Sequence, residues 1–323
     1  MKIIIATTFT PFRYEAHPML AEPLASVLRE QGHEVDIVRL PFDTNSERQL
    51  EQIFAFRCFD LTSGSGNIFD RLIAIGWAAG ALRHPAKGIW LTTSSDQDAL
   101  TNSGEIHQPA KMSVREAKRL AAASDHTVNV LRTFGLDNIN LLYPPLVDKA
   151  GFVPKPAQEH LVINLPQHLP ERTAIIFETL QETRMCGAFV VRPEDREILR
   201  DAIDAGGVHD LVQLLDVEDR MAIGKAVSTA FAVLHLDPHT IYSGDVPLGA
   251  LRARKPLILA EDTPLRAIFP ASAAVAVRPS SHALAETLQA LRDDRRRCEQ
   301  LGRAGARFEE NLTWEHAAEG LLV

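Results

Sequence analysis

The chain has 323 residues, of which 46% are apolar and 24% charged, and carries a formal net charge of −8. That length exceeds what a single core usually supports, so two domains of about 150 residues each are expected. The acidic balance argues against a general nucleic-acid binder, and Cys58, Cys186 and Cys298, far apart and in no C-x2-C spacing, supply neither a disulfide framework nor a zinc site. The one dense basic run, Arg292 to Arg297, is interrupted by Asp293 and Asp294. It reads as a solvated helix face, with a peripheral contact to an anionic membrane as the minor alternative. No apolar run approaches the ~20 residues that span a bilayer. The opening residues lack the longer apolar core and cleavage site of a signal peptide, so the cytoplasm is the expected compartment.

Taken in chain order, the elements alternate. Residues 2–8 (KIIIATT) predict a buried strand, 19–31 an amphipathic helix stopped by Gly32, and 34–40 a second strand, the βαβ start of a doubly wound sheet. Residues 63–67 (SGSGN) predict a flexible surface turn, 71–75 and 88–92 strands, 113–124 a helix and 126–130 a strand. LLYPP at 141–145 closes this half, and the Pro- and Lys-rich 153–158 predicts an interdomain linker. The second half repeats the pattern, with strands at 161–164, 187–191, 211–215, 232–236, 257–260 and 273–277. Its helices are expected at 173–182, 196–205, 218–228, 248–253 and 282–293, with a final helix entered at Thr313. Such alternation implies an α/β fold of two Rossmann-like, doubly wound parallel-sheet domains, 1–152 and 153–323, facing across a cleft. Ligands in such folds bind beyond the carboxyl ends of the strands.

A series of segments, in order along the chain, resembles the retaining glycosyltransferases of the GT-B fold, family 4. They are Thr10-Pro11-Phe12 followed by a helix and GHEVDIVRLPF, HPAKGIWL at 84–91, LLYPPL at 141–146 and LPERTAIIFETL from Leu169. Lys255-Pro256 and an LG-x-AG-x-RF stretch ahead of Leu312-Thr313-Trp314-Glu315 complete the set. The resemblance implies an acceptor-side first domain and a donor-side second domain. It also implies transfer of a sugar from a nucleotide-sugar co-substrate to a glycan, with retention of anomeric configuration and with no metal or other cofactor.

The departures from the family pattern fall on its cleft motifs. In the family, the stretch matching 241–260 (IYSGDVPLGALRARKPLILA) carries two glutamates spaced E-x7-E; Ile241 and Gly249 stand there, and neither carries charge. Glu15-Ala16 replace a Gly-Gly pair that brings backbone close to substrate, and side chains at positive φ meet a steric cost. Thr92-Thr93-Ser94-Ser95 stand where a histidine is expected, and Val191-Arg192-Pro193 lacks a glycine turn. Pro166-Gln167 replace a Gly-Arg pair, while Arg172 can still supply a second cation to a diphosphate. A leaving diphosphate needs fixed cations, amides and helix N-termini, and each lost contact costs about 2–4 kcal/mol.

By the same resemblance, Ser243-Gly244-Asp245-Val246 keeps the glycine of a phosphate-cradling loop ahead of a helix. Arg172, Ser243, Gly244 and Val246 are thus the donor-binding candidates, although Arg172 reads equally well as an exposed arginine at a helix start. Asp245 is either a catalytic candidate or the cap of that helix. Asp96 and Asp98, in SSDQDAL, could be a relocated base or a divalent-metal site, with helix capping through Asp96 or Ser95 the favoured reading. His235-x-Asp237-x-His239 invites a metal reading but has no identifiable further ligand. His17 and His107 read as loop histidines with no assigned partner. No dinucleotide fingerprint, Walker loop, nucleophile elbow or Cys–His pairing stands out. Two readings follow: an active glycosyltransferase with a rewired donor site, and a catalytically silent GT-B subunit that binds a partner glycosyltransferase or a glycan. A sugar-nucleotide epimerase on the same fold is a weaker third.

Overall fold

The computed structural model describes residues 1–13, 15–43, 47–64, 66–102, 104–165, 169–242 and 244–322. The chain forms two units, Met1–Val147 with Thr313–Val323, and Asp148–Leu312.

The first unit is built on β1 (Lys2–Phe9), β2 (Glu34–Pro41), a two-residue hairpin of β3 (Ser63–Gly64) and β4 (Asn67–Ile68), then β5 (Arg71–Ile75), β6 (Lys87–Leu91), β7 (Arg119–Ala122) and β8 (Ile139–Leu141). Six of these strands form a parallel sheet in the order β2-β1-β5-β6-β7-β8. Ile3, Ile4 and Ile5 of β1 are all buried, as a parallel strand covered on both faces requires. The helices are α1 (Ala16–Glu30), α2 (Gln49–Cys58), α3 (Ser94–Thr101), α4 (His107–Glu116) and α5 (Asp125–Thr133). Gly32 stops α1 as expected: its φ is +85° and its N–H bonds the Arg29 carbonyl at 2.9 Å.

The second unit carries β9 (His160–Asn164), β10 (Cys186–Val191), β11 (Val212–Asp216), β12 (Ala232–His235), β13 (Leu257–Ala260) and β14 (Ala274–Val277). They form a second parallel sheet in the order β11-β10-β9-β12-β13-β14. Its helices are α6 (Pro170–Thr183), α7 (Arg196–Gly206), α8 (Arg220–Thr229), α9 (Val246–Arg252), α10 (Leu265–Ile268), α11 (Ser281–Asp293) and α12 (Arg295–Glu310). Each sheet reverses its winding once, beside β1 and β5 in the first unit and beside β9 and β12 in the second. Loops leaving neighbouring strands diverge at such a point and open a crevice at the carboxyl ends. Among the described residues, no helix is long and apolar enough to cross a membrane.

Four expectations are corrected. The helix expected at 113–124 ends at Glu116, Leu120 to Ala122 form the buried strand β7, and the expected strand 126–130 lies inside α5. Ser124 starts that helix by accepting the Thr127 N–H at 3.1 Å, and burial in the sheet overrides the helix preference of the alanines. The segment expected as a flexible turn at 63–67 pairs as the β3–β4 hairpin, with Ser65 outside the described residues. The basic run is a junction rather than one helix face: Asp294 caps α12 by accepting the Arg297 N–H, and Arg292 pairs with Glu159.

The fourth concerns the domain boundary. Residues 153–158 are fastened along the second unit, with Val153 N–H on Ser228, Gln158 N–H on the Thr229 carbonyl, and Lys255 Nζ on the Lys155 carbonyl. The closing helix α13 (Trp314–Leu322) packs on the first unit instead of the second. Trp314 Nε1 donates to the Leu146 carbonyl at 3.1 Å, its ring meets Trp90 edge-on, and Asn140 Nδ2 donates to the Gly320 carbonyl at 2.7 Å.

Candidate functional site

Three loops meet beyond the carboxyl ends of β1, β5 and β6. The β1 loop is folded back by Glu15, whose carboxylate accepts the Thr10 N–H at 3.0 Å and lies 2.6 Å from the Thr10 hydroxyl. Glu15 has an extended backbone, φ −134°, so the positive-φ cost expected there does not arise; among the described residues of this loop, Phe12 is left-handed. This turn sets the start of α1 and places His17 in its first turn. From the β6 side, Thr93 caps α3, with Asp96 completing a capping box at its third position. The helix start expected through Asp96 or Ser95 therefore belongs to Thr93.

The Asp96 carboxylate is fully buried and exceeds what a capping box requires. Its Oδ2 accepts the N–H groups of Thr92 at 2.9 Å and Thr93 at 3.0 Å, together with the Thr93 hydroxyl at 3.0 Å. Its Oδ1 accepts the Trp77 N–H at 2.9 Å, from the loop after β5. Across these bonds, His17 Nε2 lies 3.0 Å from Oδ2. Five protein donors thus replace the water a buried carboxylate loses. Gly76 makes the approach feasible: at φ +89°, a Cβ there would stand 2.7 Å from His17 Cε1 and 3.2 Å from Asp96 Oδ1.

Burial on its own would lower the His17 pKa, but the Asp96 carboxylate, by charge and by hydrogen bond, and Glu15 by charge, raise it above 6.5. Burial would raise the Asp96 pKa, and His17 with the backbone donors lowers it instead. With Nε2–H given to Asp96, Nδ1 carries the ring's lone pair, and no described residue hydrogen-bonds it. A histidine oriented in this way is equipped to take a proton from a hydroxyl. The sequence left His17 unpartnered because it lies 79 residues from Asp96. The available signal was topological: both residues follow the carboxyl ends of strands in the centre of one sheet. Asp98 is exposed and lies two residues further round α3, so the two carboxylates do not form a pair. His107 opens α4, edge-on to Phe134 at 6.2 Å.

In the second unit the expected donor residues are engaged elsewhere. Ile241 is 1% exposed, and a Cβ on Gly249 would stand 2.3 Å from Phe152, so the space beside Gly249 is filled by an aromatic ring. Asp245 makes no side-chain cap on α9; its Oδ2 pairs with Arg220 and accepts the Asp148 N–H at 3.3 Å. Gly244 adopts φ +77°, Val246 is buried in the first turn of α9, and Ser243 lies outside the described residues, as do Pro166 and Gln167. Arg172, in the first turn of α6, is paired with Asp262. His235, at the end of β12, is fully buried beside Asn164, and burial pushes its pKa down to about 4. Asp237 accepts the N–H groups of His239 and Thr240 and the Thr240 hydroxyl, so its carboxylate is committed to its own turn. Among the described residues, no three His, Cys, Asp or Glu side chains are arranged to hold a metal ion.

No family model matches the chain, and no curated protein matches it by sequence. Solved structures do match, over nearly its whole length. Sucrose-phosphate synthase from Thermosynechococcus elongatus superposes with a TM-score of 0.74 at 15% identity, covering 98% of this chain and 96% of that one. The chain has the GT-B fold. HepE from Anabaena, solved with UDP and glucose, gives a TM-score of 0.72 at 13% identity, covering 97% of each chain. WaaG, a glycosyltransferase involved in lipopolysaccharide biosynthesis, gives 0.71 at 13% identity, covering 99% of each. At such identities the likeness is one of GT-B architecture, and chemistry has to be argued from this chain's own residues.

Proposed function

We propose that this GT-B protein is a nucleotide-sugar-dependent glycosyltransferase in which His17, oriented by Asp96, accepts the proton of the acceptor hydroxyl. One observation carries the reading: a fully buried carboxylate, supplied with five donors, spends one of its bonds on a histidine whose other nitrogen is left without a protein partner. The Thr93 hydroxyl suffices to cap α3, so burying a charge there serves the histidine. HepE was solved with UDP and glucose and with UDP-glucose, which supports a nucleotide sugar as donor. A hydroxyl of a glycan is then the acceptor that a base of this kind would serve. On the donor side, Arg172 would exchange Asp262 for phosphate, and the turn at Gly244 ahead of Val246 would lie against the diphosphate.

A second reading, a silent subunit for a partner glycosyltransferase, draws on one observation: Arg172 and Asp245 are both held in ion pairs and Gly249 is closed by Phe152. Thermal scans and turnover assays with UDP-, GDP-, ADP- and TDP-glucose separate the two. Stabilisation by one donor, with its consumption, supports the transferase. No response to any of them, with stable co-purification of a second transferase, would overturn it.

A further inference from the structure

We propose that a cavity among α3, α4 and α5 of the first unit binds a phosphorylated sugar, at a site separate from the His17–Asp96 pair. Neither His17 nor Asp96 lines it, and the proposal does not depend on the transferase reading. Its volume is about 480 Å3. That lies within the ~300–1,000 Å3 of small-molecule sites and exceeds what a bare phosphate ion needs. Two helices supply most of the wall. On α4, His107 and Lys111 are four residues apart and share a face. On α5 and its C-cap, His126, Val130 and Phe134 repeat that spacing, with Asn129 and Thr133 beside them.

The charge of the cavity selects its ligand. His107, Lys111 and His126 line it and no Asp or Glu does, in a chain whose 42 acidic residues outnumber its 34 Lys and Arg. Among the described residues, none of the three side chains makes an ion pair or a hydrogen bond, and His107 Nδ1 is buried without a partner. Phe134 gathers two of them: Lys111 Nζ stands 4.4 Å from its ring centroid, and the His107 ring meets it edge-on at 6.2 Å. His107 and His126 also stand in the first turns of α4 and α5, where the helix dipoles favour a negative ligand. Basic groups left without carboxylates in an acidic protein are open to an anion from solution.

A phosphate monoester fits this group better than a carboxylate does, since it brings a charge of about −1.5 to −2 and three acceptor oxygens to three donors. The rest of the lining describes the organic part. Asn129 accepts from Arg132 through Oδ1 and keeps Nδ2 to donate, while the Thr133 hydroxyl donates to the Val130 carbonyl and keeps its lone pairs to accept. Neutral groups of both kinds suit sugar hydroxyls, and Val130 with Phe134 offers carbon surface to the C–H face of a ring. Lys111 covers one face of Phe134, so that face is closed to the stacking a nucleobase would seek.

Calorimetry on the full chain tests this with glucose 1-phosphate, glucose 6-phosphate and mannose 6-phosphate, set against inorganic phosphate and glucose. At least one sugar phosphate should bind saturably, about 10-fold or more tighter than inorganic phosphate, and glucose should not bind. Lys111→Met keeps the apolar stem and removes the charge, and should weaken binding about 10-fold or more; His17→Gln should leave it unchanged. NMR of histidine-labelled wild type, assigned with His107→Gln and His126→Gln, places the ligand without relying on the Lys111 variant: both resonances should shift on titration. No saturable binding of any of the three esters, inorganic phosphate bound as tightly, or shifts that spare both histidines would overturn the proposal. So would an affinity that survives Lys111→Met or is lost in His17→Gln. Binding to phosphatidylglycerol vesicles with no soluble ester bound would assign the cavity to a lipid headgroup and overturn it equally.

Discussion

Replacing Asp96 with asparagine keeps the shape of the site and changes its charge and donor pattern. Both carboxylate oxygens accept: Oδ1 from Trp77 N–H, and Oδ2 from Thr92, Thr93 and His17. An amide turned either way aims an NH2 at a donor; the less damaging orientation leaves the Trp77 N–H unpaired. A buried orphan donor costs about 1–3 kcal/mol, and losing the charge-assisted bond to His17 about 1.5–3 more, so the variant should lose about 2.5–6 kcal/mol. His17 then keeps the burial that lowers its pKa and loses the main cause that raises it, so its titration should move from above 6.5 to below it. The pH dependence follows in sign. His17, with a raised pKa, contributes stability that fades as pH rises through that raised value; Asp96, with a lowered one, contributes stability that fades as pH falls through it. The wild-type advantage should therefore be greatest between the ordinary values of 3.8 and 6.5 and shrink on either side. Urea unfolding across pH gives the stability, and NMR of histidine-labelled protein, assigned with His17→Gln, gives the titration. A His17 resonance titrating at the same pH in both proteins would refute the coupling.

Three further outcomes are expected. Gly249→Ala should destabilise by about 1–3 kcal/mol through overpacking against Phe152, and should cost less in a Phe152→Ala background; additive urea-unfolding values would show that the two positions do not touch. His235 is neutral when folded down to about pH 4, so between 6.5 and 4 the unfolded chain takes up a proton that the native one does not, and stability falls with pH. His235→Asn should weaken that loss in thermal melts over this window, and melts as steep as wild type would contradict it. Trp314→Ala should cost about 3–5 kcal/mol and loosen α13 from the first unit, read as faster amide exchange in both Trp314–Leu322 and β6; exchange changes confined to the second unit would contradict the docking.

Much of the architecture was visible in local pattern. The apolar runs at 71–75 and 257–260 coincide with β5 and β13, and Gly32 stops α1, because these signals depend on near neighbours along the chain. The stretch 113–130 misled because its alanines favour helix while their burial in the sheet makes them β7. Nor could periodicity show that α13 returns to the first unit, since the Trp314–Leu146 bond spans 168 residues. The site divided in the same way. That Ile241 and Gly249 carry no charge is plain in the sequence, but Phe152 filling the space at Gly249 is not. Asp96 is legible as a carboxylate at a helix start, and it does complete the capping box, but its contact with His17 is not, because the histidine arrives on another strand's loop 79 residues away.

The pH dependence of kcat/KM for donor consumption tests His17 as the base, with wild type and His17→Gln compared on whichever nucleoside diphosphate glucose the protein consumes. The wild-type rate should rise with pH through one ionisation above 6.5, as His17 loses its proton, and then level. The variant should lose that limb and about 100-fold in rate. A variant as fast as wild type, or a wild-type profile flat through that range, would contradict the assignment of His17 as the base.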